Sequence, residues 1–177
     1  MEVDRLNPIP DHLVPNLKIL FVGYNPSIRS GETGHHYANP NNRFYKILEQ
    51  AGLTPRRYLP QEDKELLELG YGFSNIVARP TKTATEITKE EYEEGRTILK
   101  QKIEFFKPKI VCFVGKGVYI EYSRKKTVQW GVQANPIVPT SIEFVAPSSS
   151  GLVRMKLEEM VDIFKQIKAL LEEEEGE

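Results

Sequence analysis

Leu17-Lys18-Ile19-Leu20-Phe21-Val22, followed by Gly23-Tyr24-Asn25-Pro26, is the stretch on which the fold turns. The apolar run is short and bounded by turn residues, as a strand buried on both faces should be. Such strands belong to parallel sheets, and their carboxyl ends carry the chemistry. Asn25 is therefore expected where a strand over about 17–22 gives way to a loop.

Outward from that strand, strand-like and helix-like patterns alternate. Phe44, Ile47, Leu48 and Ala51 have helical spacing, with Gly52 as a stop, and a second helical stretch over about 60–69 ends at Gly70. Gly72–Val77 reads as a short strand. Thr88 with Glu91 forms a capping box ahead of a helix to about Phe106. Lys109–Val114 is the second clear strand; Gly115-Lys116-Gly117 turns it into a short helix through Tyr122, and Arg124-Lys125-Lys126 reads as an exposed loop. Ile142–Ala146 is the last main strand, and Leu157, Met160, Val161, Phe164, Ile167 and Leu171 mark a closing amphipathic helix. The alternation predicts an α/β fold, a three-layer α/β/α sandwich around a mainly parallel sheet. One domain is expected over 17–171, after a proline-containing irregular lead-in at 1–16 and before an acidic tail at 172–177.

Composition narrows the chemistry. The 177 residues suit a single domain, and 24 Lys plus Arg against 25 Asp plus Glu give no overall sign of a nucleic-acid partner. The distribution is uneven: acids crowd the tail, whereas Arg29, Arg43, Lys116, Arg124, Lys125, Lys126 and Arg154 fall in or near candidate site loops. The single cysteine, Cys112, excludes an internal disulfide or a cysteine-ligated iron–sulfur cluster. No apolar run is long enough for a membrane span and the start lacks a signal-peptide core, so an intracellular protein is expected, in cytoplasm or nucleoid if prokaryotic.

Three further segments stand out: Gly34-His35-His36-Tyr37, Phe73-Ser74-Asn75 and Pro147-Ser148-Ser149-Ser150-Gly151-Leu152-Val153-Arg154. Asn25-Pro26 is an ordinary turn or the seat of an amide that orients a water, since an amide cannot act as a general base. Tyr37 is a packing residue or a flat face for a base; Asn42 and Asn75 are caps or hydrogen-bonding partners of a pyrimidine edge. The serine-rich loop is a helix start, or a loop whose hydroxyls and amides meet phosphates while an apolar tip fills a gap in a duplex. His35 and His36 have no acidic or cysteine partner at ligand spacing and the third histidine, His12, sits in the lead-in, so no metal is expected.

Taken in order, Gly-Tyr-Asn-Pro, Gly-His-His-Tyr, Asn39-Pro40-Asn41-Asn42-Arg43-Phe44, Phe73 to Thr81, Gln129-Trp130-Gly131 and the Pro-Ser-Ser-Ser loop resemble the mismatch-specific uracil-DNA glycosylase and thymine-DNA glycosylase family over about 17–170. The resemblance implies a monomeric, cofactor-free DNA glycosylase of base excision repair acting on double-stranded DNA with a mispaired or damaged pyrimidine. It assigns Asn25 to the hydrolytic water and His36 to the base or water. Tyr24, Ser30, Tyr37, Asn42 and Asn75 go to the base pocket, with Ser30 beside C5, favouring uracil over thymine. Ser148, Ser149, Ser150, Gly151, Leu152, Arg154 and Lys116 go to the wedge and phosphate contacts, Leu152 being preferred over the serines as the wedge. Ser27, where many relatives have Gly, and Arg29 depart from the pattern. The alternatives are a glycosylase for deaminated purines such as hypoxanthine and a non-catalytic mismatch- or nucleotide-binding module.

Overall fold

The computed structural model describes residues 8–175, so the ends of the expected lead-in (1–7) and tail (176–177) lie outside the described residues. Five strands form one sheet in the order β2-β1-β3-β5-β4. They are β1 (Ile19–Gly23), β2 (Tyr71–Asn75), β3 (Ile110–Val114), β4 (Gly131–Val132) and β5 (Ile142–Ala146). β1 runs parallel to both β2 and β3, and β3 parallel to β5; the two-residue β4 is antiparallel. The helices are α1 (Ile28–Thr33), α2 (Phe44–Gln50), α3 (Lys89–Phe106), α4 (Lys116–Ser123) and α5 (Leu157–Glu175). The expected α/β/α sandwich with a mainly parallel sheet is the observed fold.

Alternation along each strand builds two cores. Ile19, Phe21, Ile110, Cys112 and Phe144 face α2 and α5, packing on Phe44, Leu48, Met160 and Phe164. Leu20, Val22, Val111, Phe113 and Val145 face α3 and α4, packing on Leu99, Ile103, Val118 and Tyr122. Burial on both faces is why the strands read as continuous apolar runs.

Four features depart from the sequence reading. The short helix α1 forms directly after Asn25-Pro26, with Ser27 as its N-cap accepting from Ser30 N–H. Residues 60–69 form a 3₁₀ helix, not an α-helix; three residues per turn bring Asp63, Leu66 and Leu69 onto one inward face. Helix α5 carries through the expected tail as far as Glu175. Lys125 is not free in its loop, because its ammonium donates to Tyr119 Oη at 3.0 Å and to the Ala134 carbonyl at 2.8 Å. From residue 8 the lead-in forms no helix or named strand, yet His12 exchanges both backbone hydrogen bonds with Phe73 on β2, and Asp11 pairs with Lys102 of α3.

Phe21 sits at the centre of an aromatic group, edge-on to Phe44 at 5.1 Å and stacked with Phe73 at 5.9 Å. Phe21→Ala is expected to lower unfolding stability by about 3–5 kcal/mol, the cost of a large buried ring plus the cavity it leaves. Equilibrium urea unfolding measures it; a loss below about 1 kcal/mol would mean that the core collapses around the gap.

Candidate active site

The carboxyl ends of β1, β2, β3 and β5 meet at one edge, where the loops that follow them enclose a cavity of about 650 Å³. Register places Gly23 of β1 opposite Asn75 of β2, so the Asn25 loop and Asn75 share one wall. The loop after β5 supplies the opposite wall from Ser148 to Leu152. Tyr24, Asn25, Ser30, His36, Tyr37, Asn42, Asn75, Ser148, Ser149, Ser150, Gly151 and Leu152 all line this cavity. Lys116 and Arg154 do not.

The Asn25 amide is oriented by its partners. Nδ2 donates to the Arg79 carbonyl at 2.6 Å and to Thr81 Oγ1 at 2.8 Å. A carbonyl can only accept, and Thr81 commits its own proton to the Thr83 carbonyl at 2.7 Å. Both Nδ2 hydrogens are therefore spent, and Oδ1 is the atom left to accept from an occupant of the cavity. Thr81, 56 residues along the chain, is a site residue that the sequence reading quotes within a motif but gives no role.

Tyr37 adopts a left-handed backbone, φ 54°, uncommon for an aromatic residue. That turn stacks one face of its ring on Phe44, centroids 4.0 Å apart and nearly coplanar, and sends the hydroxyl toward Gly23. Burial holds the phenol protonated well above its ordinary range. Tyr37 Oη and Ser149 Oγ are buried at the cavity wall without a hydrogen-bond partner among the described residues. Buried orphan hydroxyls are costly, and both can bond an occupant.

The two histidines divide. His35 is half-exposed, with Nδ1 3.1 Å from Asp63 Oδ1. His36 is 3% exposed, lies 5.0 Å from Phe73 in a stack, and directs Nε2 to the Pro10 carbonyl at 3.0 Å. A carbonyl partner requires the proton on Nε2. Burial is the main cause that pulls the His36 pKa down to about 4, so the ring is neutral at pH 7. His36 N–H donates to Asp63 Oδ2 at 2.8 Å, and the His36 carbonyl accepts from the Tyr45 hydroxyl at 2.7 Å. Asp63 is thus the acidic partner that sequence spacing missed. His12, His36 and Asp63 bring one potential ligand atom each within 4.8 Å of one another. Asp63 and His36 Nε2 already hold the partners just named. The cluster fastens the lead-in to the base of the Tyr37 turn.

Other expected site residues have local tasks. Asn42 Oδ1 accepts from Phe44 N–H at 2.9 Å at the start of α2, leaving its amide N–H groups to the cavity. Ser30 Oγ accepts from Ala38 N–H and from the Ser27 hydroxyl, both at 3.1 Å. The Tyr24 ring turns toward Tyr92, and its hydroxyl occupies the space a Cβ on Gly117 would need, so this residue lines the cavity while packing on α4. The Lys116 ammonium lies over Trp130, 4.3 Å from the ring centroid, so this charge is held by an aromatic face away from the cavity.

The family model for the uracil DNA glycosylase superfamily matches residues 10–172. The chain belongs to this superfamily. Superfamily membership brings DNA glycosylase activity and DNA as the substrate. Among solved structures, a provisionally assigned uracil DNA glycosylase from Methanosarcina acetivorans, determined by solution NMR, is similar at 21% identity and a TM-score of 0.57. The match covers 92% of this chain and 98% of that one, and it supports the fold. Parallel α/β sheets bind their ligands outside the carboxyl ends of the strands, and the cavity lies there.

The His36 pKa sets a pH dependence. The unfolded residue takes up a proton near 6.5, whereas the folded one resists until about 4. The folded state is therefore fully favoured by this group above pH 6.5 and loses that advantage as the pH falls toward 4, by roughly 3 kcal/mol at most. Unfolding free energy measured from pH 7.5 to 4 should fall less steeply in His36→Asn than in the wild type; parallel curves would show that His36 does not supply the slope.

Proposed function

We propose that this chain is a monofunctional DNA glycosylase of the mismatch-specific uracil and thymine type, which removes uracil from a G·U mispair in double-stranded DNA and leaves an abasic site. The single observation carrying the reading is the Asn25 amide, whose Nδ2 is fully committed to Arg79 and Thr81 so that Oδ1 faces the cavity as an acceptor. A water donating to Oδ1 is held without being deprotonated. That suffices when the leaving base departs as a stabilised anion and the sugar takes on oxocarbenium character. The water oxygen bonds to C1′ as the C1′–N1 bond breaks; its lost proton goes to solvent, and the released base takes one up.

The extruded base enters beside Tyr37, whose ring is backed by Phe44, with Asn42, Asn75 and the orphan hydroxyls within the same cavity. His36, neutral and bonded to Pro10, supports the turn that presents Tyr37; we give it a positioning role in place of the direct one expected from sequence. Leu152, 93% exposed beside the cavity mouth, has the chemistry of a wedge that fills the place of the extruded nucleotide. Lys82, which lines the cavity, and Arg154, two residues along the chain from Leu152, are exposed cations suited to phosphates. One chain carries every group the reaction needs, which favours a monomer.

Asn25→Ala should abolish release of free uracil from a G·U duplex while changing duplex affinity less than about threefold, because the amide addresses the water and not the backbone. Single-turnover release with a binding titration measures both, and retained release in the variant would sink the mechanism. On this reading Ser30, fixed by Ala38 and Ser27, lies beside C5 of the base. Ser30→Ala is expected to raise thymine release relative to uracil release by a factor worth about 1–3 kcal/mol. Competition between G·T and G·U duplexes reads the ratio; an unchanged one would remove Ser30 from the specificity pocket.

A further inference from the structure

The loop from Pro147 to Met155 holds Leu152, the most exposed large apolar side chain among the described residues. Its internal hydrogen bonds are short-range: Leu152 N–H to Ser150 Oγ and Val153 N–H to the Ser150 carbonyl, each 3.2 Å. Those bonds shape a turn but do not aim it. Among the described residues, the hydrogen bonds that fasten this loop to the rest of the chain come from Arg43. Its backbone N–H donates to the Ser149 carbonyl at 2.9 Å. Nη2 donates to the carbonyls of Ser150 and Val153, both at 3.0 Å, and Nη1 to that of Met155 at 3.4 Å. The loop also presses on the residues beside Arg43, because a Cβ on Gly151 would lie 2.6 Å from the Asn41 carbonyl. Only glycine fits that approach.

We infer that Arg43 is a positioning residue that locks the Leu152 tip to the Asn41–Asn42 wall of the cavity, so that entering the duplex and receiving the base are one motion. The inference rests on the base-extruding reading above. One planar fork serves carbonyls on both sides of Leu152, from Ser150 to Met155, so the tip cannot swing without breaking charge-assisted hydrogen bonds. Lysine cannot replace it, since a single ammonium lacks the fixed fork geometry. Arg43 differs in this from a phosphate-contacting cation, for which charge alone matters.

The test compares single-turnover uracil release from a G·U duplex and from the same sequence as a single strand, using folded Arg43→Met, Arg43→Lys, Gly151→Ala, Leu152→Ala and Arg43→Met/Leu152→Ala. Arg43→Met should slow the duplex reaction about tenfold more than the single-strand reaction, the scale of a lost charge-assisted hydrogen bond. Arg43→Lys should resemble Met more than wild type. Gly151→Ala, which opens the same contact without touching Arg43, should show the same substrate bias. Adding Leu152→Ala to Arg43→Met should cost little more, because the two act through one element. Equal losses on both substrates, full recovery by lysine, or additive losses in the double variant would overturn the inference. If the wild type released no uracil from either substrate, the glycosylase reading would fail first. The clamp would then be judged on an abasic duplex carrying 2-aminopurine beside the gap. Wild type should unstack the probe and Arg43→Met should not; identical fluorescence in the two would overturn it.

Discussion

Everything at the site depends on the in-register parallel pairing of β1 with β2 on one side and β3 on the other. The backbone ladder opposes Gly23 to Asn75 and Val22 to Phe113, and the two cores on either face of the sheet make any slip expensive. A slip by one residue would turn Phe21 and Ile19 toward the opposite layer. Because all three strands point the same way, their loops open at one edge. The Asn25 amide then reaches Arg79 and Thr81, which belong to the segment following β2.

The cavity is walled more by amides, hydroxyls and backbone groups than by ionised side chains. Asp63 is sequestered against His36 N–H and His35, and His36 stays neutral. Uncharged hydrogen-bonding groups suit a neutral pyrimidine, whose edges carry donors and acceptors but no charge at pH 7. Charge belongs instead at the rim, where phosphates pass. The even overall balance of acids and bases therefore says little about the partner, since it counts acids such as Glu172 to Glu175 that lie well along the sequence from the cavity's own residues.

Much of this architecture was legible in the sequence because it rests on strong local signals. Ile142–Ala146 coincides with β5, and the Thr88–Glu91 capping box opens α3 with Thr88 accepting from Glu91 N–H. Twelve of the expected site residues line one cavity because their loops all follow parallel strands. What stayed hidden was decided by distant partners. Asp63 and Thr81 acquire their tasks only when segments 27 and 56 residues away arrive, and Lys116 finds Trp130 across a loop. Helix α1 is too short for a periodic signal, and β4, two residues long, exists only because β5 pairs with it. The packing of Tyr24 was equally hidden: its hydroxyl fits against α4 because Gly117, far along the chain, has no side chain there.

The lead-in offers a different lesson, about the order in which a chain leaves the ribosome. Ile9 lines the cavity, the Pro10 carbonyl accepts a hydrogen bond from His36 Nε2–H, and His12 pairs with Phe73. These residues are made before their partners, the last of which emerges some sixty residues later. The nascent cavity therefore stays unwalled on that side until β2 has been synthesised. For the same reason residues 9–12 are a poor place to cut or interrupt the chain, since that segment is part of the wall and not a free strap.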